Sequence, residues 1–439
     1  MSKIRISKIR ILLTVNLIIL VLSLTSCNIS ISKDTMQEKN EKPETCTLTI
    51  WNQWVDRSDL VSNPLKNAIR EWNEKNPKVQ VKEFSWNGEQ YKSKIKTALA
   101  AGDAPDLFYM WSGSFVGPFI DEGNILPLDS YLDNETLDKL FPGVIDSCKY
   151  NGRIYSLPAY RFIASLYCNT ELFEKARAKI PKTYDELLES VKILRSKGIV
   201  PIVVGEKDRW PGMYWYDILA MRQAGSTACR NALAVPSLFN EHDYKEAADK
   251  LLQLVENKAF NDDALNTSFN DMVIGFTQGN AAMMYQGNWV GAIIEDADSK
   301  VKGEVIAIPF PTIKNGKGTS AEVYGGITDG YFINVNTQYK KEAVDVLKYI
   351  CEKSGKKGHL SGAGLSCWKM DDFDKSQLSP LVRQTTDIME SGTSFISWWD
   401  TILPAADAET HKDLVAELFD RRLSPEEFVK RMAKLKGIY

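Results

Sequence analysis

Eleven tryptophans among 439 residues give the chain a large supply of flat apolar surface. Trp54, Trp111 and Trp289 each follow a strand-like run. Trp210 stands in a polar loop, and Trp399 sits beside an acidic residue near the C-terminal end. Close to them are groups that exchange hydrogen bonds with hydroxyls: Asn52, Gln53, Ser112, Arg161, Glu206, Asp208 and Asp400. Aromatic faces accept the apolar C–H face of a ring, while amides, carboxylates and guanidinium groups hold its hydroxyl edge. Together they are the means of binding a flat, hydroxyl-edged molecule such as a carbohydrate. A glycoside hydrolase draws on the same residue types but needs two carboxylates at a set separation. Asp and Glu number 57 here, without a hydrolase motif to pair any two of them. The three histidines, His242, His359 and His411, are too dispersed for a zinc constellation, and there is no phosphate-binding loop. The expectation is therefore a binder, with no catalytic residues, no metal and no cofactor. Trp51, Trp72 and Trp86 lie within strands or on helix faces and are expected to be packing. Trp215 and Trp398 fit either role.

The elements that must position these groups alternate strand and helix. Thr47–Trp51, Val79–Phe84 and Leu107–Met110 are β-rich runs. Between them, Leu65–Asn73 and Tyr91–Ala101 carry helical apolar spacing, the second stopped by Gly102. Such alternation implies a doubly wound, mostly parallel sheet, whose ligands sit beyond the C-terminal strand ends. Asn52, Gln53 and Trp54 would then share one rim with Trp111, Ser112 and Gly113. Asp106, in the Pro-Asp turn before the third strand, is expected to be structural. Further along, Phe269, Met272, Val273 and Phe276 show helical spacing and Gly279 ends it. Ala281–Tyr285 reads as a buried strand, and the Gly287 turn presents Trp289 at a strand end. Thr183 is a helix cap, Gly325–Ile333 reads as one strand of the first lobe, and the tail from Leu378 reads as helical.

The N-terminal end is a secretory signal. Lys3, Arg5, Lys8 and Arg10 precede an apolar run, Ile11–Leu22, that is short for a membrane span. The closing Leu24-Thr25-Ser26-Cys27 resembles the bacterial lipobox, which implies removal of residues 1–26. It also implies acyl chains such as palmitate on Cys27, enough for stable anchoring. Losing four of the 54 basic residues and none of the 57 acidic ones leaves a net charge of −7. That balance argues against a nucleic-acid partner. Residues 28–44 are a polar tether. Beyond Cys27, six cysteines at 46, 148, 168, 229, 351 and 367 allow fifteen pairings, and spacing does not choose among them.

Phe276–Trp289, of pattern F-x-x-G-x-A-A-M-x-x-x-G-x-W, resembles a late motif of the extracellular sugar-binding proteins of ABC importers, the group that includes maltose-binding protein. Other passages follow in that family's order: E-W-N-E-K-N-P from Glu71, A-L-A-A-G-D-A-P-D-L-F from Ala98, Y-N-G-R-I-Y-S-L-P from Tyr150, and L-Y-x-N-T-E-L-F-E-K-A from Leu166. The resemblance covers nearly all of the chain after the tether. In such relatives the segment after the third strand supplies a stacking aromatic and polar sugar contacts. Trp111 and Ser112–Ser114 occupy it here, and Gly113 and Ser114 replace charged residues of maltose-binding protein.

The resemblance implies an α/β, two-lobed binding-protein fold closing on a hinge. Expected bounds are 45–158 and 310–361 for the N-terminal lobe and 159–309 and 362–439 for the C-terminal lobe. The crossings are expected near Leu157–Tyr160, Pro309–Pro311 and Gly362–Leu365. The implied function is capture of a mono- or oligosaccharide and delivery to an ABC permease. The protein would be a monomer, lipid-anchored to the outer face of the cytoplasmic membrane. A secreted carbohydrate-active hydrolase and a non-transport adhesive lipoprotein are the alternatives. The second would not need a hinge-like crossing.

Overall fold

The computed structural model describes residues 45–55, 62–370 and 373–437. The signal segment, Cys27 and the tether lie outside the described residues. One sheet is built on Cys46–Asn52, which runs parallel to Val79–Ser85 on one side and to Leu107–Trp111 on the other. Asp329–Ile333 adds antiparallel to Leu107–Trp111, and Ser156–Leu157 adds antiparallel to Asp329–Ile333. Leu48 and Ile50 alternate into the core of this lobe. Helix Ser62–Lys75 buries Leu65, Ala68, Ile69 and Trp72, one face at three- and four-residue spacing. Helix Gly88–Ala101 is capped by the Asn87 side chain and ends at Gly102 with φ 72°, a left-handed turn that suits glycine. Asp106 ties the lobe together: its carboxylate accepts the Thr49 N–H (2.8 Å), the Thr49 hydroxyl (2.9 Å) and the Thr337 hydroxyl (2.7 Å).

The second sheet is built on one long strand, Tyr160–Asn169. Ala281–Gly287, Val305–Ile308, Glu322–Gly326 and Leu365–Ser366 all pair antiparallel to it. Val200–Ile202 and Ser394–Ile396 extend this sheet in parallel pairings. Both sheets are mixed, where mostly parallel pairing was expected. The strands that join the long strand return to it from either lobe and so meet it head to tail. Helix Tyr184–Ser196 starts with the capping box of Thr183 and Glu186. All six cysteines among the described residues are buried and unbridged.

The segment expected as a single first-lobe strand, Gly325–Ile333, is divided. Glu322–Gly326 belongs to the second sheet and Asp329–Ile333 to the first. Gly325 and Gly326 have φ of 136° and 148°, and a Cβ on Gly325 would collide with the Phe162 carbonyl oxygen. This close approach holds the first half against the long strand, and the chain changes lobe at Ile327–Thr328. That corrects the crossing expected near Pro309–Pro311, and with it the lobe boundary at residue 309. Phe310 is instead buried in the second lobe, against Trp215 and Tyr285. The other passages between sheets fall at Pro158–Ala159 and Gly362–Gly364. The tail is not helical throughout, since Ser394–Ile396 interrupts it as a strand.

Replacing Asp106 with Ala leaves the Thr49 and Thr337 groups without their acceptor. Orphaned buried donors cost about 1–3 kcal/mol each, so urea unfolding should show a loss on the order of 3 kcal/mol. A change within about 0.5 kcal/mol, the scale of a neutral surface substitution, would remove Asp106 from the framework.

Candidate functional site

On the first lobe the candidate groups sit at strand ends. Asn52 is fully buried; its amide donates to Glu83 (2.7 Å) and its Oδ1 accepts the Trp54 N–H (2.9 Å). It therefore shapes the turn that carries Gln53 and Trp54, rather than facing a ligand itself. Trp54 packs 4.8 Å from Tyr109 and stays half-buried, as does Gln53. Trp111 meets Tyr109 at 5.3 Å and Phe115 at 5.6 Å, with the Lys92 ammonium 5.0 Å from its ring. The Ser112 N–H donates to the Thr328 carbonyl (2.9 Å), joining this rim to the crossing. Beside it Asp329 is 6 % exposed, accepts from the Thr328 hydroxyl (3.1 Å) and is hydrogen-bonded by Tyr109. Burial pushes its acid up to about 7 despite those bonds.

On the second lobe the strand Ala281–Gly287 ends in a tight turn, Asn288–Val290. A Cβ on Gly287 would collide with the Trp289 indole, so only glycine lets that ring fold back over the strand end. Trp289 then lies 5.3 Å from Phe162, 5.7 Å from Trp398 and 6.2 Å from Trp210. Trp398 stacks on Tyr214 (4.7 Å, 21°) and meets Tyr324 edge-on at 4.8 Å. Six rings thus form one continuous cluster at the strand ends: Phe162, Trp210, Tyr214, Trp289, Tyr324 and Trp398.

Trp399 is not part of it. This expected site residue is fully buried between Tyr216, Phe239 and His411. Trp398 instead packs in the ring cluster, so the two adjacent indoles are buried against different partners. Sequence spacing cannot say which partners each of two adjacent indoles will meet. Asp400 is buried too, and burial raises its acid above the usual carboxylate range. Its carbonyl accepts the Ser114 hydroxyl from the first lobe at 3.4 Å. A Cβ on Gly113 would strike the Thr401 carbonyl. The small residues at 113 and 114 are where the first lobe touches the second.

Glu206 is 2 % exposed, and neither carboxylate oxygen makes a hydrogen bond of full geometry. Burial drives its acid well up, with the Gly212 backbone and the Arg209 charge as partial counterweights. Asp208 caps a helix instead, accepting the Phe269 N–H at 2.7 Å. Arg209, at φ 64°, bonds Glu409 (2.7 Å) and Asp413 (2.6 Å), which anchors the turn that presents Trp210. Arg161 donates to the Ser366 carbonyl (3.1 Å) and lies 4.3 Å from the Phe141 ring. It braces a lobe crossing, apart from the ring cluster. Among the described residues no group of three His, Cys, Asp or Glu side chains is placed to hold a metal ion.

Residues 58–357 match the sequence model of the bacterial extracellular solute-binding proteins. The multiple sugar-binding protein of Streptococcus mutans is 23 % identical over 370 residues, 82 % of this chain and 83 % of that one. The maltotriose-binding protein of Pyrococcus abyssi is 30 % identical over 248 residues, 55 % of this chain and 49 % of that one. A structure from work on xylan utilization by Caldanaerobius polysaccharolyticus shares 39 % identity at TM-score 0.85, over 89 % of this chain and 99 % of that one. A chitin oligosaccharide binding protein, 24 % identical, shares the fold at TM-score 0.79, over 89 % of this chain and 98 % of that one.

The Asp329 acid bears on stability. Its pKa of about 7 in the fold stands above the unfolded value of ~3.9. Between those values the folded chain holds a proton that the unfolded chain has released. Stability is greatest at the acid end of that window and falls as pH rises through about 7. Asp329→Asn should remove this fall. Comparing urea melts at pH 5 and pH 8, wild type should lose about 2–3 kcal/mol more than the variant. Parallel behaviour of the two proteins would show that Asp329 is ionised throughout.

Proposed function

The chain belongs to the bacterial extracellular solute-binding protein family, and from that membership we propose how it takes and delivers its ligand. It is the carbohydrate-binding component of an ABC importer. The observation that supports this reading is the six-ring cluster of the second lobe, and the site we propose lies between it and Trp54 and Trp111 of the first. Trp289 and Trp210 offer stacking faces from the second lobe, with Trp398 packed against Trp289, and Trp54 and Trp111 offer them from the first. Gln53, Ser112, Glu206 and Asp329 supply polar contacts. Burial raises the Glu206 acid, and the protonated form of a carboxyl donates to a sugar oxygen as well as accepting. Xylan-derived oligosaccharides are the first ligands to test, since a neighbour at 39 % identity comes from work on xylan utilization.

Lobe closure about the crossings buries the sugar, and a permease recognises the closed form. Affinity then equals the contacts formed less the cost of closing. The chain acts as a monomer, held by lipid on Cys27 at the outer face of the membrane, and performs no turnover. Steady release of reducing ends from an oligosaccharide, abolished by one carboxylate substitution, would overturn the absence of catalysis.

Trp289→Ala and Trp399→Ala should part company. Loss of a stacking face costs about 1–3 kcal/mol of binding, or roughly 5- to 150-fold in Kd. Loss of a core indole costs about 3–5 kcal/mol of stability. Calorimetric titration and denaturant melting should therefore give weaker binding with modest destabilisation for Trp289→Ala, and the reverse ranking for Trp399→Ala. A destabilised Trp289→Ala of unchanged affinity would place that indole in the core. For the anchor, Cys27→Ala should move the protein from membrane to soluble fractions. Full retention would mean that the apolar segment itself holds it.

A further inference from the structure

Away from the ring cluster, a groove of about 320 Å³ opens between the two lobes. That volume lies at the lower end of the ~300–1,000 Å³ range of small-molecule sites. One wall belongs to the first lobe: Asn63 and Asn67 on helix Ser62–Lys75, and Lys357 and Ser361 at the end of helix Lys340–Ser361. The other belongs to the second lobe: Glu295 and Asp296, just after helix Gly291–Ile294. The base is closed where the Ala292 N–H donates to the Gly362 carbonyl (3.0 Å) at a crossing. The groove shares no lining residue with the six rings, yet it starts three residues beyond Trp289.

The lining selects a ligand chemistry. Asn63 and Asn67 are i and i+4 on one helix face, and neither amide is bonded to another described residue. Each offers both donors and an acceptor. Ser361 adds a hydroxyl, and Glu295 and Asp296 add carboxylates opposite. The carboxylates disfavour an anion. Lys357 is ion-paired to Glu71, so its charge is already balanced. There is no aromatic wall, so stacking is not the means of binding. Amides and a hydroxyl that both donate and accept, beside carboxylates that accept, answer to hydroxyls. Burial raises the Glu295 acid, in keeping with a half-enclosed site.

We propose that this groove is a second compartment of the binding apparatus, which takes one hydroxyl-rich ring. Two sources share that chemistry: the end unit of a chain whose other units stack in the cleft, or a free monosaccharide. Because its walls come from both lobes, a ring seated there favours one inter-lobe arrangement and is coupled to sugar binding in the cleft, reciprocally. This rests on the reading of the ring cluster as the sugar site.

Wild type, Asn67→Leu, Glu295→Gln and Trp289→Ala are titrated calorimetrically with xylose, and with xylo-, cello- and malto-oligosaccharides of increasing length, after melting curves confirm folding. If the groove holds an end unit, the two groove variants bind short chains as wild type does. They lose about tenfold on the chain length that first reaches the groove, the scale of one or two hydrogen bonds. If it takes a free ring, wild type binds a second equivalent of xylose that the groove variants lose. Groove variants equal to wild type at every length, with Trp289→Ala weakened, overturn the groove and leave the cleft standing. No binding by any of the four proteins overturns both.

Discussion

Every buried backbone N–H and C=O must find a partner, and in the second lobe that demand falls on ten consecutive residues, Tyr160–Asn169. Nearly all are buried, so both edges of the strand must be paired along their length. Four segments, drawn from residues 281–287, 305–308, 322–326 and 365–366, answer that requirement. They come from distant parts of the chain, and their pairing brings Phe162, Trp289 and Tyr324 to one end of the sheet. The aromatic cluster is thus a consequence of the ladder. The same strand begins just after the chain leaves the first sheet at Leu157, so the ladder also starts at a lobe crossing.

A buried polar network holds the cluster from behind. The Tyr324 hydroxyl donates to Asp217 Oδ2 at 2.6 Å, and His411 Nε2 lies 2.7 Å from Asp217 Oδ1. The Trp399 N–H in turn donates to the Tyr324 oxygen at 3.3 Å. These groups are almost wholly buried, where an unpaired polar atom is costly and a satisfied one is rigid. The Trp399 ring lies along His411 while Trp398 meets Tyr324 and Tyr214. The network therefore bears on which of the two adjacent indoles joins the ring cluster.

Small residues set how close the lobes come. At Gly113 the first lobe approaches the Thr401 carbonyl too closely for any side chain, and at Gly325 the backbone presses on Phe162. Beside Gly113 the Ser114 hydroxyl donates to the Asp400 carbonyl, so this contact is made by shape and one hydroxyl.

The sequence by itself determined the family, the two-lobed α/β class, the strand–helix alternation of the first lobe and local signals such as the Thr183 capping box and the Gly102 stop. These are legible because spacing and caps act over a few residues. It also pointed to Trp289, since a strand, a glycine and an indole in succession describe a local geometry. Only the tertiary structure decided that the chain crosses at Ile327–Thr328, that Trp398 packs in the ring cluster while Trp399 packs against His411, and that Asn52, Asp208 and Arg161 are occupied by structural partners. Each of those outcomes turns on a contact between segments far apart in the chain: Gly325 with Phe162, Trp399 with His411, Arg161 with Ser366. A side chain's type and spacing do not encode the partner that folding will place beside it.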